Sequence, residues 1–579
     1  MKYLSIITSM ILLSIILIGS FMSSVIFLDE KFFLTNLTFL PKGAVKLLEN
    51  KDFSTPILKR LETSGIAIIF LGISLWVTSK SWYPKLVHLF REPSTINSSP
   101  QRLYSWMRRY PFQFTFLLAI ILIALTIRME YLFNPMSYDE AYTVVFYAKG
   151  NISNILCNYF YPNNHILHSI ILYLIQNSWG DSEVFMRLPA FISGILIIPS
   201  VFLLGYKLGE FRVAALASAL CAMSPLQIDY STNARGYSII ALLTIWIYII
   251  SLNFKNNYYY KNLFLLTIFA VLSLYTIPVS LYSLAPAFIY LAISSLNKDS
   301  SKSFPLISVI ISGIIVGCFT IIAYLPVIII GGTTQLLNNR FMTKLSWDQF
   351  LKSFPDMSQE IFIFWTSHMS PILIGFLIIG LIMNLFSSKS RKLFLLILLV
   401  PLAILFIQKS TPPSRAFFSL LPLVLTLSAY GLIELTNSLF IKKHLASPFI
   451  YLMFGLISLQ GFTLLREQPI LGSGGPFPEG PDMALWFKEH LMPGDRIAAP
   501  CPSHAPLKYY FSRLGLNPDI VALTRNDLMN NQRIYITAVD DFRLERHFDL
   551  LKRLNIMTED PLLIHTIERS KIFIFIPSQ

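Results

Sequence analysis

The chain has 579 residues, of which 54% are hydrophobic and only 13% are charged. Soluble domains carry about 25% charged residues, so an ordinary soluble enzyme is excluded. Repeated apolar runs of about 17–25 residues predict a polytopic α-helical membrane protein. The net charge of +14 does not indicate nucleic-acid binding, because many basic residues lie in short segments between apolar runs and form no sustained basic stretch.

Hydropathy predicts about thirteen transmembrane helices. Their limits are 3–28, 63–79, 112–133, 184–206, 212–228, 237–254, 263–278, 279–296, 305–330, 368–386, 393–408, 416–439 and 446–464. Alternation from a cytoplasmic N-terminus places the basic interhelical segments inside, as the positive-inside rule requires. These segments are 80–111, 255–261, 297–302, 387–392 and 441–444. The basic segment 29–62 falls outside, so charge supports the first two spans least.

The composition changes after the Gly/Pro-rich stretch "EQPILGSGGPFPEGP", which predicts a linker. Beyond it, the helical patterns "DMALWFKEHL" and "APLKYYFSRLG" alternate with strand-like "RIAAP", "DIVAL", "RIYITAV" and "KIFIFIP". This alternation predicts a small extracytoplasmic α/β domain. We therefore expect two N-terminal helices with a basic cytoplasmic loop (1–111), a transmembrane catalytic core (112–465, with a first outer loop at 134–183) and the α/β domain (466–579).

The first chemically distinctive stretch is "NPMSYDEAYTVVFYAKG", where Asp139 and Glu140 follow a predicted span. Neighbouring helical residues diverge by about 100°, so the two acids cannot address one atom. One carboxylate could serve as a general base while the other binds substrate or caps the helix. A solvated cap at the start of an interfacial helix would also explain the pair, since acids favour first turns.

Two further motifs complete the first outer loop and the start of the next span. In "YPNNHILHS", His165 and His168 share a helix face and could neutralise a phosphate or, with a carboxylate, bind a divalent metal. A polar surface pair is the plainer interpretation. In "DSEVFMRLPAF", Glu183 and Arg187 have the spacing of an ordinary helix ion pair, yet Arg187 lies where a membrane span begins and needs a partner there.

Two short outer breaks carry cations. "SPLQIDYSTNARGYS" contains Asp229 and Arg235, with Tyr237 two residues later; it is too short for a domain and is expected to line a cavity. Arg235 at the start of a helix suits an anionic phosphate, although snorkelling to the interface would explain it too. "QKSTPPSRAFFSLLP" places Arg415 on the side that the positive-inside rule disfavours, which makes an anionic ligand attractive.

Together these motifs resemble bacterial membrane glycosyltransferases of the GT-C superfamily, and within it the dolichyl-phosphate-mannose protein mannosyltransferase-like family that includes the lipid A aminoarabinose transferase. The likeness covers about residues 112–440 and is carried by the Asp-Glu pair, "NNHILH", "EVFMRLP" and "YSTNARGYS". It implies a GT-C-like core of eleven helices, formed by the third to the thirteenth predicted span.

The resemblance implies an inverting transfer of a sugar from a polyprenyl-phosphate donor to an acceptor hydroxyl at the outer face of a bacterial plasma membrane. It implies Asp139 as the catalytic base, with Glu140 beside it. Many relatives have Glu-Ala-Arg in the second outer loop, where this chain has Asn233, Ala234 and Arg235. The acidic role at 233 is therefore missing, and whether Asp229 replaces it is open.

Chemistry agrees with this assignment, because a lipid phosphate needs cations and a hydroxyl nucleophile needs a base. The expected substrate-binding residues are His165, His168, Arg187, Asp229, Arg235, Tyr237 and Arg415. The expected partners are the polyprenyl-phosphate-linked sugar, a lipid, glycan or protein acceptor, and the bilayer. No cofactor is expected, and a divalent metal has only the histidine pair in its favour.

Other function classes fit parts of the pattern. A transporter or flippase of a lipid-linked sugar would also need a polar cavity, but near mid-membrane in broken helices, whereas these charges gather at one face. An oligosaccharide ligase or an oligosaccharyltransferase-like enzyme would share the superfamily. The α/β domain alone could be a glycan-binding module.

Overall fold

The structure is a computed structural model, and its membrane part is a bundle of helices. It describes residues 19–20, 51–77, 105–252, 254, 259–296, 306–337, 344–439, 443–467, 475–522, 525–528, 533–539, 544–553, 556–557 and 559–576. The helices before the C-terminal domain are α1 (Lys51–Val77), α2 (Pro111–Leu132), α3 (Tyr138–Thr143), α4 (Ile152–Cys157), α5 (Ile166–Trp179), α6 (Glu183–Leu208), α7 (Phe211–Met223), α8 (Pro225–Ser231), α9 (Tyr237–Leu252), α10 (Tyr259–Thr276), α11 (Leu281–Ser295), α12 (Leu306–Ala323), α13 (Leu325–Gly331), α14 (Thr334–Leu337), α15 (Trp347–Thr366), α16 (Pro371–Met383), α17 (Arg391–Gln408), α18 (Leu421–Leu439) and α19 (Lys443–Glu467).

Several of these helices can cross a bilayer, which supports an integral membrane protein. Among the described residues, seven helical segments are long and apolar enough, or nine if each of two bent pairs is one span. Two shorter apolar helices, Tyr237–Leu252 and Lys261–Thr276, add to these. The predicted count of thirteen is therefore not confirmed. The predicted span 3–28 lies outside the described residues apart from 19–20.

A proline explains why the predicted span 212–228 is a broken helix. Helix α7 ends at Met223 and α8 begins at Pro225, with a bend of 62° between them. Ser224 between them is extended, because a residue before proline is disfavoured in the helical region. A second bent pair, α15 and α16, makes an angle of 115°, and Ser370 before Pro371 is extended too. Of this pair only α16 lies in a predicted span (368–386); α15 was expected to be part of an outer segment.

Burial separates the centre of the bundle from its lipid-facing rim. In the segment Ser414–Ser438, which includes most of α18, 94% of the most apolar stretch is buried, whereas in Leu306–Ala323 only 17% is buried. Helix α18 therefore lies at the centre. Its neighbours include α7 and α16, and the 3₁₀ turn Ser414–Leu420 leads into it.

Arg128 of α2 fixes the break between α7 and α8 although it lies inside an apolar helix. Its side chain is only 1% exposed. Its guanidinium donates hydrogen bonds to Ala222 O (2.9 Å) and to Ser231 Oγ (2.9 Å). Carbonyl groups at a helix C-terminus lack partners within their own helix, so a cation there satisfies them and complements the helix dipole. Arg128 thereby holds the segment that leads to Arg235.

The C-terminal part is a small α/β domain, as its alternating patterns predicted. Its helices are α20 (Gly480–His490), α21 (His504–Arg513), α22 (Arg525–Leu528) and α23 (Leu544–Arg553), and its strands are β1 (Arg496–Ala498), β2 (Val521–Ala522), β3 (Ile534–Val539), β4 (Leu562–Ile567) and β5 (Ser570–Phe575). The strand order is β2-β1-β3-β5-β4, parallel among β2, β1 and β3, and antiparallel at β5 and β4.

The edge strand β4 was not predicted from the sequence. It exposes Leu562 and Leu563 and lacks the buried run that marks β3. Apolar side chains from α20, α21 and the sheet pack together, among them Phe487, Phe511 and Tyr535, and helix α3 of the membrane part packs against α21.

Candidate active site

The acids Asp139 and Glu140 lie in the first turn of the six-residue helix α3. Ser137 precedes the helix, and Glu140 Oε2 accepts hydrogen bonds from Ser137 N (2.9 Å) and Ser137 Oγ (3.0 Å). The Glu140 side chain thus turns back to cap its own helix. Since neighbours on a helix diverge, Asp139 faces a different set of partners.

Glu140 is buried, and both of its carboxylate oxygens accept more than one hydrogen bond. Arg187 donates from Nε to Glu140 Oε1 (2.8 Å) and from Nη2 to Oε2 (2.9 Å), and Ala234 N donates to Oε1 (2.7 Å). Burial would raise the pKa of Glu140, but the Arg187 guanidinium and the amides of Ser137 and Ala234 together lower it below its usual value. Glu140 is therefore ionised and joins three segments of the chain.

Arg187 uses its remaining donors on backbone carbonyls. They reach Leu132 O (2.8 Å), Asn134 O (2.6 Å) and Pro135 O (3.1 Å). Its partner is thus Glu140, and not Glu183 of its own helix, which instead pairs with Arg513 (3.1 Å). The i,i+4 pair predicted from spacing is wrong. The geometry favours a positioning role for Glu140 and Arg187 over the substrate contact that the sequence suggested.

Asp139 has three partners from three different segments. Its Oδ2 lies 3.2 Å from Arg235 Nη1 and 3.4 Å from Arg415 Nη1, and its Oδ1 accepts a hydrogen bond from Asn163 Nδ2 (3.0 Å). The Asp139 side chain is 12% exposed and that of Arg415 is 26% exposed, so both can be reached from outside the protein. The structure therefore brings together the acid and both cations that the sequence placed in separate outer breaks.

His165 lies beside Arg235 in this cluster. Gly236 N donates to His165 Nδ1 (2.9 Å), while His165 Nε2 lies 3.2 Å from Arg235 Nη2. Burial, and then the positive charge of Arg235, hold the pKa of His165 well below its usual value, so the ring is neutral. With Nδ1 accepting, Nε2 carries the proton. Two donors, Nε2–H and the guanidinium, thus lie side by side, which favours an anionic ligand next to them.

Tyr237 and His168 pack around the same point. The Tyr237 ring meets His165 edge to face at 4.9 Å between centroids, and the Arg235 guanidinium lies 5.7 Å from the Tyr237 ring centre. His168 is completely buried, and among the described residues neither ring nitrogen has a hydrogen-bond partner. Burial lowers the pKa of His168 to about 3, so it is a neutral ring.

Asp229 is the sequence candidate that the structure ties least to Asp139. It is 8% exposed within α8 and interacts electrostatically with Tyr131 of α2. Whether it replaces the acid missing at Asn233 stays a prediction.

A cavity of about 440 Å³ opens beside Arg415. Tyr237, Lys344 and Arg415 contribute its polar and cationic lining. Ile277, Leu281 and Ile407 are among its apolar walls, and the last two are exposed at the bundle surface (43% and 79%). A cationic end next to Asp139 and apolar walls that reach the lipid-facing surface match a ligand with a charged head and a long apolar tail.

Within the part of the chain that the structure describes, no group of three or more His, Cys, Asp or Glu side chains is placed to hold a metal ion. His165 and His168 do not converge on a shared carboxylate there.

Three site features were missed from the sequence. Asn163 contacts Asp139, and its place next to the predicted histidines was the available signal. Arg128 was visible as a charge inside an apolar run, which is itself a signal of function. The contacts of His504 and Tyr510 with the loop of Asp139 join residues more than 360 positions apart, and no local pattern reports such a contact.

No family model matches the chain, and no curated protein matches it. Among solved structures, it is similar to the oligosaccharyltransferase AglB from Archaeoglobus fulgidus in complex with an inhibitory peptide and a dolichol-phosphate (TM-score 0.44, 13% identity, covering 76% of this chain and 70% of that one). It is also similar to ArnT from Cupriavidus metallidurans bound to undecaprenyl phosphate (TM-score 0.42, 12% identity, 79% and 97%).

Proposed function

We propose that the protein is an inverting glycosyltransferase that moves a sugar from a polyprenyl-phosphate donor to an acceptor hydroxyl on the extracytoplasmic side of a bacterial plasma membrane. The observation that carries the proposal is the Asp139 cluster: one accessible carboxylate held by Arg235, Arg415 and Asn163, where Arg415 also lines a cavity with cationic and apolar walls.

The donor phosphate belongs with the cations. Arg235 and Arg415 meet at Asp139 with the Nε2–H of His165 beside Arg235, and Lys344 lines the same cavity as Arg415. Guanidinium groups bind phosphate through paired hydrogen bonds. The apolar walls, including Leu281 and Ile407, would receive the polyprenyl chain.

Asp139 would then act as the general base. Arg235 and Arg415 both contact Asp139 Oδ2, so an arriving phosphate competes with that oxygen for the same two cations. Donor binding would thus leave Oδ2 available for the acceptor. The acceptor oxygen attacks the anomeric carbon, its proton passes to Asp139, and the bond from that carbon to the phosphate oxygen breaks. The products are the glycosylated acceptor, with inverted configuration, and the polyprenyl phosphate held by the cations.

The direct test is Asp139→Asn in the purified full-length protein. A general base contributes about 10²–10⁴-fold to rate, so we expect sugar transfer to fall by at least 100-fold. Because the change removes a carboxylate that competes with phosphate, affinity for undecaprenyl phosphate should stay equal or rise. Full transfer activity in this variant would remove Asp139 as the base.

Loss of a cation should, in contrast to Asp139→Asn, weaken the binding of the donor phosphate. Arg415→Gln should weaken binding of undecaprenyl phosphate by about tenfold or more, since a hydrogen bond to a charged group contributes about 1.5–3 kcal/mol. Lys409→Gln is the matched control, because Lys409 lies in the same short break but stacks on Trp347 (5.4 Å). Equal affinities in the two variants would take Arg415 out of the phosphate site.

A flippase would move the lipid-linked sugar without cleaving it. Reconstituted vesicles that show transbilayer movement of the intact donor, with no glycosylated product from any acceptor, would favour that alternative.

A further inference from the structure

Helix α21 of the C-terminal domain contacts the membrane part at the segment that carries the acids. Tyr510 Oη accepts a hydrogen bond from Met136 N (2.8 Å), and His504 Nε2 lies 3.2 Å from Tyr138 Oη. Burial lowers the pKa of His504 to about 4, so this contact joins two neutral groups. Both contacts fall within three residues of Asp139.

The chain just ahead of the domain adds a third bond to the same turn. Gly475 O accepts a hydrogen bond from Tyr138 N (2.8 Å). A Cβ atom at Gly475 would lie 3.1 Å from Tyr138 Cβ and 3.4 Å from Pro502 Cβ, and the glycine has a φ of +73°. Both the backbone conformation and the close approach therefore require glycine here.

The same helix also holds the segment that leads into α6. Tyr509 Oη donates to Asp181 O (2.7 Å), and Arg513 Nη1 lies 3.1 Å from Glu183 Oε2. Since α6 supplies Arg187, helix α21 contacts the chain just before each partner of the Glu140–Arg187 ion pair.

Helix α3 needs such external support. It runs from Tyr138 to Thr143 and continues directly as the π-helical segment Val144–Ala148, and an isolated helical segment shorter than about 12 residues is marginal in water. Its first turn is fixed from one side by Glu140 and from the other side by Tyr510 and Gly475. Asp139 lies between these two sets of contacts.

We propose that Tyr510, His504 and Gly475 are positioning residues for Asp139, and that the C-terminal domain is thus a fixed part of the catalytic assembly, not a separate glycan-binding module. The inference rests on the proposed function, because it gives these residues a role in the transfer step. Misplacement of a reacting group by about 1 Å can lower a rate about 100-fold, so a bond that fixes the start of α3 matters for turnover.

The test compares three Tyr→Phe variants of the full chain that each remove one hydroxyl. Tyr510→Phe should lower sugar transfer at saturating donor by about tenfold and leave the Kd for undecaprenyl phosphate within about twofold. Tyr509→Phe, which affects only the α6 side, should have a smaller effect. Tyr535→Phe is the control, since its hydroxyl bonds to His490 O inside the domain (3.3 Å), and it should transfer sugar at the wild-type rate.

Hydrogen exchange gives a readout that needs no substrate. In Tyr510→Phe the amides of residues 136–143 should exchange at least about tenfold faster than in wild type, with those of β3 unchanged. Wild-type exchange and wild-type transfer in Tyr510→Phe would overturn the positioning role, as would a loss of donor affinity equal to the loss of rate. If wild type itself transfers no sugar while the exchange result holds, the proposed function fails and the structural support of α3 stands.

Discussion

Asp139 and Glu140 are adjacent in sequence but have different environments. Glu140 is 2% exposed and accepts hydrogen bonds from Ser137, Arg187 and Ala234, whereas Asp139 keeps an accessible edge between two guanidinium groups. This difference in access is why we propose Asp139, and not Glu140, as the base.

Glu140→Gln should therefore act on stability more than on chemistry. The change leaves the Arg187 charge buried without its counter-ion, which typically destabilises a protein by about 3–5 kcal/mol. We expect a lower unfolding temperature in detergent, and partial recovery in Glu140→Gln/Arg187→Met. An unfolding temperature equal to wild type would contradict the assignment of Glu140 as a structural charge.

The same pair predicts a pH dependence. Because the folded pKa of Glu140 is lowered, its contribution to the free energy of unfolding is present above the usual value of 4.5 and is lost as the pH falls towards the folded pKa. Thermal unfolding of wild type and Glu140→Gln should therefore converge below pH 4.5.

Which residues meet at the site was largely predictable from the sequence, but what each does was not. Asp139, Arg235 and Arg415 could be identified as site residues from the sequence, because charged residues in the outer segments of an apolar chain are conspicuous. Spacing alone paired Arg187 with Glu183, and only the fold shows that Glu140 is closer.

At the scale of elements, the turn before α9 packs directly on the start of α5. A Cβ atom at Gly236 would lie 2.6 Å from Thr276 Cγ2, 3.2 Å from His168 Cβ and 3.3 Å from His165 Cβ. This close approach lets Gly236 N reach the His165 ring and aligns Arg235 beside it.

Gly236→Ala should accordingly separate these elements and weaken binding of undecaprenyl phosphate by about tenfold, as expected for a disturbed charge-assisted contact. Gly375→Ala in α16 is the control, since nothing lies within 4 Å of the added Cβ. Alanine there should be neutral or stabilising by up to about 1 kcal/mol. Equal effects of the two changes would show that the packing at Gly236 does not govern the site.

His168 on α5 and His504 on α21 are buried and neutral. They predict a second pH range in which the free energy of unfolding changes. The folded pKa is about 3 for His168 and about 4 for His504, both below the usual value of 6.5. Between these values the unfolded chain binds more protons, so the free energy of unfolding should fall as the pH drops below 6.5. Replacing both residues with Gln should flatten this slope in unfolding experiments between pH 7 and 5. The exposed His490→Gln serves as the control, and an unchanged slope in the double variant would contradict the prediction.

Helix positions followed from apolar runs far better than helix breaks did. Predicted spans 112–133 and 184–206 correspond to α2 and α6 within two residues. The span 212–228 is two helices instead, because Pro225 ends one and begins the other, and hydropathy averages over such a break.

For the whole molecule, the contacts place the C-terminal domain at the same end of the bundle as Asp139. The charge pattern predicts that this end faces outwards. Cys501 has an exposed thiol in this domain and reports the orientation without engineering.

A membrane-impermeant maleimide should therefore label wild type in intact cells, and the label should fall in Cys501→Ser to what the half-buried Cys157 of the first outer loop accepts. Labelling of Cys501 only after lysis would reverse the predicted orientation.

The helical membrane architecture was predictable from the sequence, but the number of transmembrane spans was not, since hydropathy cannot distinguish a straight span from a bent pair of helices. The small sheet was expected from its alternating patterns. The contact between this domain and α3 was not expected, because an interface between segments that are far apart in the chain produces no periodic pattern in the sequence.

The buried charge of Arg128 also affects how the chain inserts into the membrane during its synthesis. An arginine within a helix that enters the bilayer opposes insertion, by about 2.5–3.5 kcal/mol at the helix centre and by less towards the end of α2, where Arg128 lies. Its acceptors Ala222 and Ser231 are synthesised some hundred residues later, so α2 emerges from the ribosome before its charge can be satisfied. We expect Arg128→Leu to insert its second helix more readily during biogenesis, yet to yield a protein that loses the bend between α7 and α8.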